Sequence, residues 1–545
     1  MTGIANERDA DDGRSTDFEQ LPGTETETKT DTRRPARRTF VKGAAIAGVS
    51  AIGLSSNAAA SGSYTQYDGE YRHVVNVVEA GADNTGNRSI TPVLNRLRND
   101  NTLFYFPPGR YAMDSQFRFT KFDNVAFVGN DATLVPANYY NFDGPQYRLF
   151  RLGTLSRPGK KLRFEGFTVD QTAKDTGIRT IDTVVTDRLD VEDVRVKGEH
   201  DSGTMGPARF DVIGSNGTGR VVGFKAPDGG KNADDTPHAG KTSSRGPIGI
   251  LANGTAGELM FRRCHVGGFP GSGLYACNGP GKIIVHGGVY RNSTSASIRI
   301  GGADSVVRWP TVEIDDVDEK YPSHRGIRVE RGDVTIKGAA IRVSDPSPSN
   351  HAISVLSNCE SAWIENTTIE MSGNDVNHGI VVSPGAGETT IARTNITHNA
   401  AGGYPLWLRS SNNTDRVHCE YLSIDGEAGD ASGLRDGIRC ERPNVRFAAC
   451  EVDQRGRDGV KRNAIVSTSE DLSVWNMTLR ASHFPIVELG SNSSYLEVDA
   501  ESYSGREAAC LYDQSHKISI RNSRLVNGVR DLGSWSLELS SNTTS

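Results

Sequence analysis

The sequence predicts an all-β chain wound as a right-handed parallel β-helix solenoid, and three observations carry the prediction. One apolar pattern, at i, i+2, i+5 and i+7, returns from Leu162 to Leu525. It reads Val334-Ile336-Ala339-Ile341, then Ala362-Ile364-Thr367-Ile369, then Thr389-Ile391-Thr394-Ile396, then Val417-Cys419-Leu422-Ile424. The starts at 334, 362, 389, 417, 445 and 472 lie 28, 27, 28, 28 and 27 residues apart, a spacing typical of solenoids. Apolar residues two apart belong to strands, whose side chains alternate faces. A second short apolar pair, such as Ile327 and Val329 or Ile353 and Val355, precedes most motifs by 7–11 residues.

Each repeat therefore holds three short strands and no segment long enough for a helix. Stacked turns pair equivalent strands in parallel about 4.8 Å apart, so inward residues form continuous ladders. A leucine-rich repeat shares the period, but its L-x-x-L-x-L-x-x-N consensus is absent.

Residues 1–36 are polar and charged without apolar periodicity, the composition of a disordered segment. Arg37-Arg38-Thr39-Phe40-Val41-Lys42, the apolar run from Gly43 to Leu54 and Ala58-Ala59-Ala60 describe a twin-arginine export signal. Its apolar run of about 12 residues is too short to span a bilayer. The expected organisation is a signal region over 1–60 and one β-helix domain over 61–545. Within it, 74–111 forms an N-terminal cap, 197–249 a long loop insertion and 250–525 the regular coils.

Composition fits an exported solenoid. The chain has 60 glycines, 36% hydrophobic residues and a formal charge of −6, and only 15 of its 61 basic residues are lysine. This mild acidity, with no basic stripe in the sequence, argues against a nucleic-acid partner. A lysine-poor, acidic, exported chain suits a salt-loving archaeon. The seven cysteines lack C-x-x-C spacing, and Cys264, Cys419 and Cys450 fall on ladder positions, where cysteine serves as a small buried hydrophobe.

The opening of the folded region resembles a known superfamily. Val77-Val78-Glu79-Ala80-Gly81-Ala82-Asp83-Asn84-Thr85-Gly86, a short helix, and Leu103-Phe104-Tyr105-Phe106-Pro107-Pro108-Gly109-Arg110-Tyr111 look like the entry of the pectate-lyase-like β-helix superfamily. Ile90, Val93, Leu94 and Leu97 give that helix one apolar face, with Ser89 placed to cap it and Pro92 in its first turn. The resemblance implies a helix covering the open end of the coil. It does not select an activity, because lyases, glycosidases, epimerases, tailspikes and surface proteins share the architecture.

Function is therefore sought in the long turns. Val196 to Ile250 is the longest, although Phe210-Asp211-Val212-Ile213 and Val221-Val222-Gly223-Phe224 inside it suit an irregular turn of the coil. The next is Asp315 to Arg325, and a third runs from Asp425 to Gly437. β-Elimination of a uronic acid needs its carboxylate neutralised and a base at the C5 proton. Asp315, Asp316, Asp318 and Glu319 are the candidate Ca²⁺ ligands. Lys320 and His324 are the candidate bases, with Arg325 as carboxylate clamp. Arg299, Asn292, Tyr321, His238 and Arg245 are the candidate substrate-binding residues. The bland alternative for each is a solvated acidic loop with basic neighbours.

Trp363, Trp407, Trp475 and Tyr404 have faces suited to sugar rings, with Trp363 and Trp475 out of phase with the core. The paired-carboxylate series of polygalacturonases and the R-x-P-x-x-R and W-x-D-H signatures of classical pectate lyases are absent. The expected protein is secreted or on the cell surface and free of integral membrane association once cleaved. It engages acidic polysaccharide, with lyase-like cleavage favoured. A non-catalytic glycan-binding or structural protein and a glycoside hydrolase are the alternatives.

Overall fold

The computed structural model describes residues 67, 69–143, 147–202, 205–237, 245–316, 324–344 and 350–544. The twin-arginine segment therefore lies outside the described residues, as do His238, Asp318, Glu319, Lys320 and Tyr321. The chain divides into Met1–Glu70 and Tyr71–Ser545, and the second unit holds every strand named below. That unit is a parallel β-solenoid of about 16 turns. No helix among the described residues is long and apolar enough to cross a membrane.

Each turn contributes one strand to each of three sheets. The apolar residues at i and i+2 build the first, as in Val334, Val417 and Val445, and pair in register turn after turn. Those at i+5 and i+7 flank and build the second, where Ile341, Ile369, Ile396 and Ile424 stack. The second apolar pair builds the third, where Ile298, Ile327, Ile353, Ile380, Leu406, Ile438, Ile465 and Ile486 stack with no exposed surface. Each such side chain, fully buried, contributes about 1.5–3 kcal/mol.

The fixed gap between i+2 and i+5 has a backbone cause. One residue between the first and second sheets adopts positive φ in turn after turn: Arg263, Gly287, Trp309, Gly338, Asn366, Arg393, Tyr421, Ala449, Asn476, Glu497 and Asn522. Its amide donates to the next turn, as Asn366 to Ala392 at 3.1 Å and Arg393 to Glu420 at 2.9 Å. The corner thus redirects the chain without orphaning its amide.

At the N-terminal end the helix Thr91–Leu97 starts after Ile90 and carries Pro92 in its first turn. Ile90 and Leu94 are buried in the common core, with Val93 and Leu97 packed against it. No side chain caps the helix in the usual way. Ser89 instead receives the Thr91 amide at 3.3 Å and hydrogen-bonds Asp114. The segment 197–249, expected as a loop insertion, contains Ala208–Val212, Thr218–Val222 and Lys225–Ala226, one in each sheet. It adds a turn of the coil, because Phe210, Val212, Val221 and Phe224 have the alternation an inward ladder needs. All seven cysteines are buried and free.

Candidate active site

Outward positions on the third sheet are where polar side chains collect out of water. The outward row reads Arg299, Arg328, Ser354, Val381, Trp407 and Arg439, in register along six turns. Three residues upstream of that row, and two before the inward Ile327, Ile353 and Ile380, stand Arg325, His351 and His378, while Asp436, two before Ile438, aligns with Asn463.

Three of the expected residues lie on adjacent turns at the N-terminal part of this row. Arg299, His324 and Arg325 are all buried. The Arg299 and Arg328 Nε atoms flank Glu330 at 2.7 and 2.5 Å, and the Arg299 guanidinium lies 4.2 Å over the Tyr275 ring. Arg325 donates to the His324 carbonyl at 3.3 Å, and the His324 amide donates to Asn350 at 3.2 Å. His351 shares a 2.9 Å hydrogen bond with Ser354 and stands 5.2 Å from His378. Burial, followed by the Arg325 and Arg409 charges, lowers the His378 imidazole to about 3. The Tyr404 amide donates to its Nδ1 at 3.2 Å, which leaves the ring proton on Nε2.

The other expected residues serve the coil or stand apart. Asn292, at φ 49°, donates to the Asp315 carboxylate at 2.7 Å and accepts the Asp315 and Asp316 amides at 3.0 and 3.3 Å. It therefore stitches two turns together. Asp315 and Asp316 are exposed. Among the described residues no three His, Cys, Asp or Glu side chains are placed to hold a metal. Arg245 is exposed, ahead of the strand Ile250–Leu251, which lies two turns before that of Arg299.

Farther along the row is a second constellation. Its aromatic residues were singled out from the sequence; its carboxylates were not. The strand Asp436–Cys440 turns Ile438 and Cys440 inward and Arg439 outward. The Arg439 guanidinium bridges two carboxylates, Asp436 at 3.5 Å and Glu441 at 2.8 Å. Their bonded oxygens are thus at most about 9 Å apart, within reach of the roughly 5–9.5 Å separations used in glycoside hydrolysis. Burial raises the Asp436 carboxyl above its ordinary range, against the Asn463 amide at 3.0 Å and the Arg439 and Arg462 charges. Glu441 also receives the Trp407 indole N–H at 3.0 Å.

Aromatic groups complete the patch. Trp407 stands 5.4 Å from Tyr404 and 5.2 Å from His378, and the Arg409 guanidinium lies 5.2 Å from its ring. Tyr404 is buried and Trp407 half-buried. Burial keeps the Tyr404 phenol protonated well past neutral pH. The patch thus offers a proton donor, a carboxylate acceptor and apolar ring faces side by side. The polar residues Asp436, Arg439 and Glu441 surround the inward Ile438 and Cys440, but alternation separates Asp436 from the other two and no motif marks them.

A separate cavity of about 440 Å³ on the second sheet is lined by Asp425, Glu427, Glu451, Asp453 and Arg455. Asp453 is already engaged by Tyr503 at 2.9 Å and Arg455 at 3.4 Å.

No protein-family model matches the chain, and no curated protein matches it. Among solved structures it is similar to PfbA, a surface adhesin of Streptococcus pneumoniae, at 11% identity over 78% of this chain and 92% of that one, with a TM-score of 0.38. It is also similar to the Agl-KA catalytic domain, at 12% identity over 86% and 68% of the two chains, with a TM-score of 0.28. The catalytic unit of a thermostable GH87 α-1,3-glucanase from Streptomyces thermodiastaticus strain HF3-3 gives the same identity, coverage and TM-score.

Proposed function

We propose that the protein is an exported carbohydrate-active enzyme that cleaves an extracellular polysaccharide over Tyr404, Trp407, Asp436 and Glu441. The observation that carries the reading is Arg439 holding Asp436 and Glu441 together beside Trp407. Hydrolysis needs an acid and a second carboxylate flanking one glycosidic bond. Asp436, whose carboxyl burial shifts toward the protonated form, gives its proton to the glycosidic oxygen as the C1–O bond breaks. The water oxygen bonds C1 and its proton passes to Glu441. Trp407 positions Glu441 and presents a face to the sugar.

The twin-arginine segment, the acidic, lysine-poor composition and the pectate-lyase-like opening place this enzyme, in our reading, outside a salt-loving archaeal cell. Its partner is an acidic polysaccharide rather than nucleic acid.

A lyase-like elimination is the second reading, favoured by the buried basic residues Arg299, His324 and Arg325 on adjacent turns of the third sheet. It takes Lys320 or His324 as base and a Ca²⁺ held by Asp315, Asp316, Asp318 and Glu319, with Tyr321, His238, Arg245 and Asn292 toward the substrate. Product analysis over a panel of neutral and uronic-acid polymers separates the readings. New reducing ends without the ultraviolet absorbance of unsaturated uronate support hydrolysis. That absorbance supports elimination, and neither product together with tight retention supports a glycan-binding protein.

A further inference from the structure

The first sheet carries a feature that the cleavage patch does not use. Two of its outward rows run side by side along the coil. One reads Met260, Ile284, Val306, Thr335 and Trp363, and the other Arg262, His286, Arg308 and Lys337. The basic row is thus unbroken for four turns, at steps of about 4.8 Å. Arg262 and Arg308 are exposed and form no ion pair among the described residues, while Lys337 pairs with Glu365 at 2.6 Å.

Trp309 stands at the corner beside this row. Its φ of 53° is rare for a bulky residue, and the equivalent corners before and after it are Gly287 and Gly338. A Cβ at Gly338 would fall 2.4 Å from Trp309 Cδ1 and 2.8 Å from its Nε1, so the indole lies over that glycine. The His286 ring meets it edge-on, with centroids 5.1 Å apart. The ring is therefore held in place while 53% exposed. The indole thus packs over the bare Gly338 backbone while much of its surface remains open to solvent.

We infer that this edge of the first sheet is a second glycan-binding surface, taking an extended polysaccharide whose sugars carry carboxylate or sulfate groups. The charge complementarity rests on Arg262 and Arg308. Arg262 and Arg308 set two guanidinium groups two turns apart along the coil, spaced to meet acidic groups of a polyanionic chain, and Trp309 offers an apolar face to a pyranose. The rows Met260 to Trp363 and Trp309 are absent from the third sheet, so the inference does not depend on the cleavage reading. Its role would be to hold polymer while another stretch occupies the cleavage patch.

Electrophoresis of the full-length protein through gels containing polygalacturonate, alginate or neutral dextran tests the inference. An Asp436→Asn background prevents turnover. The acidic gels should retard the protein and dextran should not. Arg262→Ala/Arg308→Ala should weaken retardation by roughly tenfold, the scale of about 1.4 kcal/mol lost, with an unchanged melting temperature. Trp309→Ala should weaken it comparably and remove part of the polymer-induced fluorescence change. Undiminished retardation of the arginine variant, or equal retardation by dextran, overturns the inference. So does equal retardation by duplex DNA, which would make the surface a general polyanion binder.

Discussion

Trp407 donates its indole N–H to Glu441 at 3.0 Å across adjacent turns of the third sheet. The carboxylate is thereby fixed from two sides, by the indole and by Arg439. Trp407→Phe keeps the ring face and removes the donor. A hydrogen bond to a charged group is worth about 1.5–3 kcal/mol, so kcat should fall by roughly 10–100-fold with KM little changed. Trp407→Ala should also raise KM, because the ring face is lost. Steady-state kinetics on the polymer identified by product analysis checks both.

The Asp436 proton gives the enzyme a pH signature. Burial raises this carboxyl, while the Asn463 hydrogen bond opposes the shift. Activity needs the protonated form, so the rate should fall as pH rises through the elevated pKa. Asn463→Ala removes an interaction that favours the ionised form. It should therefore move the alkaline limb of the kcat/KM profile upward, and a downward move would contradict the assignment.

Buried histidines set the acid stability. His378 is lowered to about 3 by burial, and His351 and His398 are also driven down by burial. Their unfolded forms take up protons below about pH 6.5. Above that pH they cost nothing. As pH falls from about 6.5 toward 3 the unfolded state binds more protons and stability drops, by at most roughly 1.4 kcal/mol per pH unit for each histidine. Glu488, whose pKa is raised by burial, works in the opposite direction near its own titration. Denaturant midpoints should be flat between about pH 7 and 8 and fall below 6.5, less steeply in His378→Asn.

Inside the coil, Tyr495 donates to Glu488 at 2.7 Å, and the Gly490 amide donates to the same carboxyl group at 2.7 Å. Tyr495→Phe leaves a buried oxygen without its phenolic donor. The expected loss is about 1–3 kcal/mol, read as a lower denaturant midpoint at constant slope.

The corner residues offer a backbone test. Asn366 sits at φ 50°. Valine there should cost about 1–2 kcal/mol, whereas glycine should be nearly neutral.

The ladder pattern was legible because burial inside a solenoid repeats the same demand every turn. Ile336, Ile364, Ile391 and Cys419 meet that demand with period and alternation intact. Trp363 and Trp475, read as out of phase with the core, are 43% and 41% exposed. What the pattern misses is that outward does not mean solvated. Arg299 alternates outward yet is 3% exposed, because Glu330 and the Tyr275 ring supply its partners within the sheet. Asn292 was a candidate ligand-binding residue and proves to hold Asp315 across the turn, an interaction between residues 23 apart that only the register defines. Asp436 and Glu441 escaped notice for a related reason. They are joined by a side chain, Arg439, and not by a sequence spacing with a recognisable chemistry.

The most direct test is the rate of Asp436→Asn on two substrates, the native polymer and a glycoside with an activated aryl leaving group. If Asp436 supplies the proton to the leaving oxygen, the variant should lose most of its activity on the polymer and little on the aryl glycoside, which leaves without protonation. Glu441→Gln should be impaired on both. Equal loss by Asp436→Asn on the two substrates, or full activity on the polymer, would contradict the assignment of Asp436 as the acid.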